Sequence, residues 1–265
     1  GESQMQLVVD VGNTETVVGL ATSTTELAAH WRVSSSVPRT GDEMTALIRA
    51  FLAGDGVDES RIMRGVVGSV VPSVNQVWTE TLAEITGGEV ISVGPASPLP
   101  IELDVEEPLS VGADRIVNTL AARELYGRDT IAVDLGTATT FDCITGEGVF
   151  CGGVISPGLK AGLEWLSTHT AKLPTVELKP PEIVIGRRTE TCIQSGVFYQ
   201  AIDAVDGIVR RIKEEWGRPE AYVVATGGFA DSMGPYLTTV ERIEPFLTLY
   251  GLAMAGDIIA GGSEA

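Results

Sequence analysis

The chain has 265 residues, 44% hydrophobic and 20% charged, which is typical of a folded protein with room for one large domain or two smaller lobes. Its formal net charge of −18 disfavours binding to nucleic acid or to an anionic membrane surface, because both would repel it. The three cysteines, Cys143, Cys151 and Cys192, lack CxxC spacing and histidine partners, so we expect reduced, mostly buried thiols rather than disulfides or a zinc site.

The first predicted element is a β-hairpin with a polar tip. The apolar run at 7–9 leads into the turn Asp10–Thr14, and a second strand resumes at Thr16–Ala21. The same order of residues returns in Ile131–Val133, the turn 134–140 and the strand from Phe141. Two further apolar strands that end in small residues, 65–69 and 222–228, also match each other. This repetition predicts a duplicated α/β unit.

Between the strands of the first half, two helices are predicted from their ends. Thr40–Glu43 and Ser73–Gln76 both have the pattern of a capping box, which marks a helix N-terminus. Gly54 and Gly87 follow at positions typical of C-terminal caps.

The second half contains one long amphipathic helix. Apolar residues recur at helical spacing through Thr189–Trp216, which predicts that most of them pack into a core. A connector with Pro174, Pro180 and Pro181 precedes it and should be extended. The stretch from Phe246 is apolar on most sides and interrupted by small residues, which implies close packing between elements. No apolar run approaches the length needed to span a bilayer, and we expect a cytoplasmic protein that does not enter the membrane.

Asp10 and Asp134 each stand at the end of a buried strand, followed by glycine and by hydroxyl or amide residues. Such a turn can hold a hydrated divalent cation while its N–H groups face phosphate oxygens. A single Asp at a strand end is more often a turn former, but two copies in a duplicated unit favour phosphate binding. This arrangement resembles that of the actin-like ATPases.

A third carboxylate, Asp114, lies with Arg115 just before an apolar pattern of helical spacing. Ser110 is a plausible N-cap and would place both residues in the first turns of that helix. The simple alternative is an acidic residue stabilised by the positive end of the helix.

Three motifs in this order resemble the signature motifs of the type III pantothenate kinases: residues 10–14 (DVGNT), 112–115 (GADR) and 134–140 (DLGTATT). The resemblance extends to Gly152–Gly158, to Thr189 ahead of residues 194–196, and to Thr226–Gly228. It covers nearly the whole chain from Met5. It implies two duplicated actin-like (ribonuclease H-like) lobes with mixed sheets and an ATP cleft between them. The lobes would span residues 5–123 and 124–265, with the terminal helix packing back on the first.

The resemblance also implies roles for individual residues. Asp114 would take the proton from the primary hydroxyl of pantothenate, and Thr189 would touch the substrate from the partner subunit of a homodimer. Asp134 would bind an activating monovalent cation, potassium or ammonium, and Asp10 would hold magnesium through water. The pantothenate contacts would be Gly112, Ala113, Asp114, Arg115 and Thr189. The ATP contacts would be Asp10, Val11, Gly12, Asn13, Thr14, Glu15, Thr16, Val17 and Thr137.

The sequence departs from the family at one position. Family members often have a tyrosine shortly before Gly-Ala-Asp-Arg, where it helps to bind substrate, and the corresponding residue is Val105. Val105 has no hydroxyl, so the pantothenate pocket should differ in shape or affinity.

The resemblance predicts ATP-dependent phosphorylation of pantothenate to 4′-phosphopantothenate, the first step of coenzyme A biosynthesis. Two alternatives remain open: another small-molecule kinase on the same fold, and a non-catalytic transcription accessory factor. The three aspartates and the acidic charge favour the enzyme. Hydrolysis by a catalytic triad has little support, because His30 and His169 are the only histidines and neither stands near a plausible nucleophile or set of metal ligands.

Overall fold

The computed structural model describes residues 4–263, which form an α/β protein with mixed sheets. The strands are β1 (Met5–Val11), β2 (Glu15–Ser23), β3 (Glu26–Ser34), β4 (Ile62–Ser69), β5 (Val90–Val93), β6 (Glu102–Leu103), β7 (Thr130–Leu135), β8 (Ala138–Ile144), β9 (Val149–Pro157), β10 (Tyr222–Thr226) and β11 (Arg242–Ile243). The helices are α1 (Gly41–Gly54), α2 (Asn75–Thr86), α3 (Ala113–Tyr126), α4 (Leu159–His169), α5 (Thr189–Trp216), α6 (Ala230–Met233) and α7 (Leu247–Ser263).

The chain divides into two compact units. Among the described residues, unit 1 contains residues 4–125, 148–150 and 247–263, and unit 2 contains residues 126–147 and 151–246. The last helix, α7, therefore belongs to unit 1.

Unit 1 is built on a five-stranded sheet in the order β3-β2-β1-β4-β5. β1 pairs antiparallel with β2 and parallel with β4, so it lies at the centre of the sheet. Five of the seven residues of β1 are buried apolar side chains, as expected for a central strand. The register places Asp10 opposite Gly68 of β4, at the carboxyl ends of both strands.

Unit 2 repeats this arrangement with the strand order β11-β10-β7-β8-β9. β7 pairs antiparallel with β8 and parallel with β10, as β1 does with β2 and β4. Asp134 at the end of β7 lies opposite Thr226 of β10, in the position that Asp10 has in unit 1. The predicted duplication is therefore confirmed.

Each unit has its own apolar core. In unit 1 the core includes Leu7, Leu20, Ile48, Trp78 and Leu82, all at most 1% exposed. In unit 2 α5 contributes much of the core through residues such as Phe198 and Val209. Burial of this much apolar surface is the main favourable term in folding.

Several predicted elements are confirmed. The strands of both hairpins form, α5 spans Thr189–Trp216, and no regular element occupies the connector at residues 170–188. The capping box of α1 is present, with Thr40 Oγ1 accepting from Glu43 N–H and Glu43 Oε2 accepting from Thr40 N–H. Gly87 ends α2 in the left-handed conformation, with φ 63°.

Other predicted helix ends are wrong. Ser73 does not cap α2, because residues 72–74 form a 3₁₀ turn that leads into a helix starting at Asn75. Gly54 is the last residue of α1, and the C-cap is Asp55. Cys143 is buried as expected, but Cys192 is exposed, because it precedes the residue at which α5 begins to pack into the core, Ile193.

Within residues 4–263, no helix combines the length and apolar character needed to cross a membrane.

Candidate active site

The first candidate loop joins β1 to β2 in unit 1. Asp10 is partly buried at the end of β1, while Asn13, Thr14 and Glu15 are exposed at the tip of the turn. Gly12 N–H donates to Glu15 O at 3.1 Å, and a Cβ at Gly12 would lie 2.8 Å from that oxygen, so the tight turn requires glycine there. The predicted polar tip is therefore present, next to a carboxylate at the strand end.

The start of α3 lies beside this loop. The N–H groups of Arg115 and Ile116 both donate to Gly112 O, so Gly112 is the N-cap. The prediction that Ser110 caps this helix is wrong, because Ser110 belongs to a separate 3₁₀ turn at residues 108–110.

Gly68 connects the two parts of the site in unit 1. It pairs with Asp10, and a Cβ built on it would lie 3.3 Å from the Cβ of Ala113. The first turn of α3 therefore packs against the strand next to Asp10. The structure thus brings together two of the predicted motifs, residues 10–17 and 112–115.

Asp114 is partly buried in the first turn of α3. Its Oδ1 accepts the N–H of Arg115 at 2.9 Å. Burial raises the pKa of Asp114 above its usual value, and the N–H bond and the positive charge of Arg115 oppose this only in part. A carboxylate with a raised pKa is a stronger base, which suits a proton acceptor.

Arg115 is held by a residue that the sequence did not single out. Its guanidinium carbon lies 5.0 Å from the ring centroid of Phe150, at the start of β9. Phe150 is itself fixed, because Asp104 N–H donates to its carbonyl oxygen at 3.0 Å. Phe150 is 2% exposed, as an apolar strand residue of the core would be. The sequence therefore has no signal that distinguishes a phenylalanine in contact with Arg115 from one that only packs in the core.

Unit 2 contains the second candidate loop, between β7 and β8. Asp134 is partly buried and Thr137 is exposed. Glycines line this loop closely: a Cβ on Gly227, whose φ is 93°, would lie 2.4 Å from Asp134 Oδ1, and one on Gly158 would lie 2.2 Å from Thr137 O. The backbone therefore approaches Asp134 more closely than any residue with a side chain would allow.

Thr189 lies in a different part of unit 2, at the exposed start of α5. The preceding connector is bound to this helix. Gln194 Nε2 donates to Glu177 O at 2.9 Å, and Ser195 Oγ donates to Val184 O at 2.5 Å. Two buried polar side chains of α5 thus bond to the backbone of the connector, which has no regular secondary structure.

The donor groups of both loops suit hard cations. Each loop offers a partly buried carboxylate beside exposed hydroxyl or amide groups, and such oxygen ligands are preferred by magnesium and by alkali cations. A tight turn beside a strand end can also present N–H groups to phosphate oxygens. In unit 1 this chemistry adjoins a carboxylate that can accept a proton and a guanidinium that can bind an anion.

Comparison with known proteins gives one consistent family. A sequence profile described as type III pantothenate kinase matches residues 6–211. The type III pantothenate kinase of Moorella thermoacetica is 43% identical over 248 residues, covering 94% of this chain and 97% of that protein.

Two solved structures share the fold. A Campylobacter jejuni protein described as a Baf family transcriptional activator has a TM-score of 0.56 at 20% identity, covering 98% of this chain and 100% of its own. A ROK family glucokinase from Streptomyces griseus, in complex with glucose and AMPPNP, has a TM-score of 0.53 at 13% identity, covering 97% of this chain and 100% of its own. At these identities the likeness shows the fold alone, which is the duplicated actin-like architecture that the sequence predicted.

Proposed function

The chain belongs to the type III pantothenate kinase family, and from that premise we propose that it transfers the γ-phosphoryl group of ATP to the primary hydroxyl of pantothenate. The product, 4′-phosphopantothenate, enters coenzyme A biosynthesis. The observation that carries the proposal is the placement of the motif at 112–115 at the start of α3, beside the Asp10 turn.

Asp114 acts as the general base. As the hydroxyl oxygen of pantothenate bonds to the γ-phosphorus, the bond from that phosphorus to the bridging oxygen of ADP breaks, and the hydroxyl proton passes to the carboxylate of Asp114. Because a primary alcohol is a weak acid, this proton moves late, when bonding to phosphorus has developed. The raised pKa of Asp114 favours the transfer.

Arg115 binds the carboxylate of pantothenate. Its guanidinium can pair with a carboxylate through two parallel hydrogen bonds, which fixes orientation as well as position. Gly112 and Ala113 complete the substrate contacts. Since Val105 lacks the hydroxyl that many relatives have, more of the orientation depends on Arg115 in this chain.

Residues 10–17, which comprise the Asp10 turn and the start of β2, hold the phosphates of ATP. Thr137 provides a further ATP contact. Asp10 holds magnesium through water. Magnesium, when bound, neutralises phosphate charge during transfer. The contribution of the chain is to fix the turn, through Gly12 and the hydrogen bond from Gly12 N–H to Glu15 O.

Asp134 binds a monovalent cation. Two observations support this role. The Asp134 carboxylate is partly buried at the end of β7, and the backbone of Gly227 comes so close to it that no side chain could fit between the two. Potassium or ammonium should therefore raise turnover relative to sodium. Equal rates in the three salts would exclude this role.

The enzyme assembles as a homodimer in which Thr189 contacts the substrate of the partner subunit. Support comes from an exposed apolar segment next to it, Ile183–Ile185, whose residues are 53%, 65% and 83% exposed. A segment that exposes three aliphatic side chains, while Ser195 Oγ donates to the backbone carbonyl of Val184 within it, is suited to a protein interface.

A coupled assay of ADP formation tests the function. We expect ADP release to depend on pantothenate, with glucose and acetate as poor acceptors. Preference for either of these would favour another small-molecule kinase on the same fold. Binding to duplex DNA at low salt, without pantothenate-dependent ADP release, would favour the transcription accessory factor.

A further inference from the structure

The last helix of the chain packs against the first turns of α3 within unit 1. Thr248 Oγ1, at the start of α7, donates to Asn118 Oδ1 of α3 at 2.8 Å. Thr248 is 7% exposed and Asn118 is 1% exposed, so the bond is shielded from water. One turn further along α7, a Cβ at Gly251 would lie 2.2 Å from Val117 O, and the two helix backbones are therefore in direct contact.

The same helix also reaches the strand that pairs with Asp10. A Cβ built on Gly68 would lie 3.1 Å from Leu252 of α7 and 3.3 Å from Ala113 of α3. α7, α3 and β4 thus contact one another at Gly68, the residue of β4 that pairs with Asp10, and next to residues 112–115.

The first turn of α3 carries both residues that the proposed reaction uses, Asp114 and Arg115. Its N-cap, Gly112, has no side-chain oxygen, and the side chain that accepts an N–H group of this turn is Asp114 itself, whose Oδ1 accepts from Arg115 N–H. The positions of Asp114 and Arg115 therefore depend on how α3 packs against its neighbours. A displacement of about 1 Å of a reacting group can lower a rate about 10²-fold.

We propose that the Thr248–Asn118 hydrogen bond positions Asp114 and Arg115 for reaction, so that α7 sets the geometry of a site to which it contributes no catalytic group. Asn118 follows Asp114 by four residues and therefore lies on the same face of α3, one turn away. Thr248 and Asn118 are positioning residues, and their role in turnover rests on the proposed function.

The test replaces Thr248 by valine, which keeps the shape of the side chain but removes the hydroxyl. Thr248→Val should lower kcat/KM for pantothenate by about 10-fold or more, while the KM for ATP changes less than about 2-fold. Thr248→Ser keeps the hydroxyl and should restore kcat/KM to within about 3-fold of the parent.

A matched control is Thr45→Val, which removes another buried threonine hydrogen bond of unit 1, from Thr45 Oγ1 in α1 to Thr81 Oγ1 in α2. It should leave both kinetic constants within about 3-fold of the parent. If Thr248→Val and Thr45→Val have the same kinetics, the positioning role is overturned.

Hydrogen–deuterium exchange separates a failure of this inference from a failure of the proposed function, because it needs no substrate. Exchange at residues 113–118 should be faster in Thr248→Val than in the parent or in Thr45→Val. If the parent is inactive but shows this exchange pattern, the proposed reaction is refuted, while the conclusion that the Thr248–Asn118 hydrogen bond positions α3 still holds. Unchanged exchange at residues 113–118 would overturn the inference whatever the activity.

Discussion

The proposed general base, Asp114, lowers the stability of the folded protein when it is ionised. Its pKa is raised by burial, so ionising it costs more in the folded than in the unfolded protein, and stability falls as pH rises through that raised pKa. Asparagine has the same shape and does not ionise. Asp114→Asn should therefore lower kcat by about 10²–10⁴-fold while Tm near neutral pH stays equal or rises.

Kinetics and calorimetry on the same preparation check this prediction. In the parent, kcat/KM for pantothenate should rise with pH through the pKa of Asp114, and the variant should lack this dependence. Turnover within a few-fold of the parent would show that Asp114 has only a structural role at the start of the helix.

Phe150 offers a second prediction at the scale of one residue. Phe150→Leu removes the ring beneath Arg115 but keeps an apolar side chain, and a cation–π contact contributes about 0.5–2 kcal/mol. The KM for pantothenate should rise about 2- to 30-fold, with the KM for ATP unchanged. Phe51→Leu is the control, since Phe51 stacks on Trp31 instead of an arginine. Equal effects of the two changes on the KM for pantothenate would contradict the view that Phe150 holds Arg115 in place for substrate binding.

At the scale of elements, α5 shows what the sequence can predict. The helix is predicted because apolar residues recur at helical spacing from Ile193 to Trp216, a signal that is local and long. The hairpin turns were predicted for a similar reason, since strand, carboxylate and glycine are adjacent in sequence. By contrast, Ser110 matches the local preference for an N-cap, yet the 3₁₀ turn that begins at Pro108 takes it out of the helix.

Contacts between distant residues could not be predicted from one sequence. Phe150 lies beneath Arg115, and Thr248 meets Asn118, only because the chain returns to unit 1 after long excursions. No local pattern encodes these pairs. The sequence therefore predicts candidate motifs, but not the residues that pack against them.

The Asp206 carboxylate fastens α5 to the turn before β11. It accepts four hydrogen bonds, from the N–H and hydroxyl groups of Thr238 and Thr239. Burial alone would raise the pKa of Asp206, but these bonds outweigh burial and lower it. With its folded pKa lowered, Asp206 stabilises the protein above the ordinary carboxyl value of 3.8, and this stability is lost as pH falls through the lower, folded value.

Asp206→Asn should lower the free energy of unfolding by about 1–3 kcal/mol near neutral pH, because the amide cannot accept all four bonds. Urea denaturation measures this, and the difference from the parent should shrink below pH 3.8. Asp203→Asn, an exposed change on the same helix, should cost less than about 0.5 kcal/mol. If the two variants are equally stable at neutral pH, Asp206 does not fasten this turn.

At the scale of the whole molecule, the proposed role of Thr189 requires a dimer. The parent should sediment as a dimer, and Ile185→Asp should shift it toward monomer, because a charge would be buried in the interface. Thr189→Ala should raise the KM for pantothenate with little change in Tm. A fully active monomer would refute the assembly.

Mixing two impaired variants tests whether Thr189 acts on the partner subunit. In a mixed dimer of Asp114→Asn and Thr189→Ala, the Thr189→Ala subunit has an intact Asp114 and would receive Thr189 from its partner. Mixing should therefore restore the low KM for pantothenate in one of the two sites. No restoration after subunit exchange is verified would place Thr189 at the site of its own chain.

The acidic charge of −18 makes anion binding depend on a few placed groups rather than on the overall field. Phosphoryl transfer to pantothenate by these groups is tested most directly by ³¹P NMR of the complete reaction. With ATP, magnesium and pantothenate, ADP and 4′-phosphopantothenate should appear in equal amounts, and neither should form at a comparable rate with Asp114→Asn. Release of inorganic phosphate without a phosphomonoester of pantothenate, or equal product from the variant, would contradict the account.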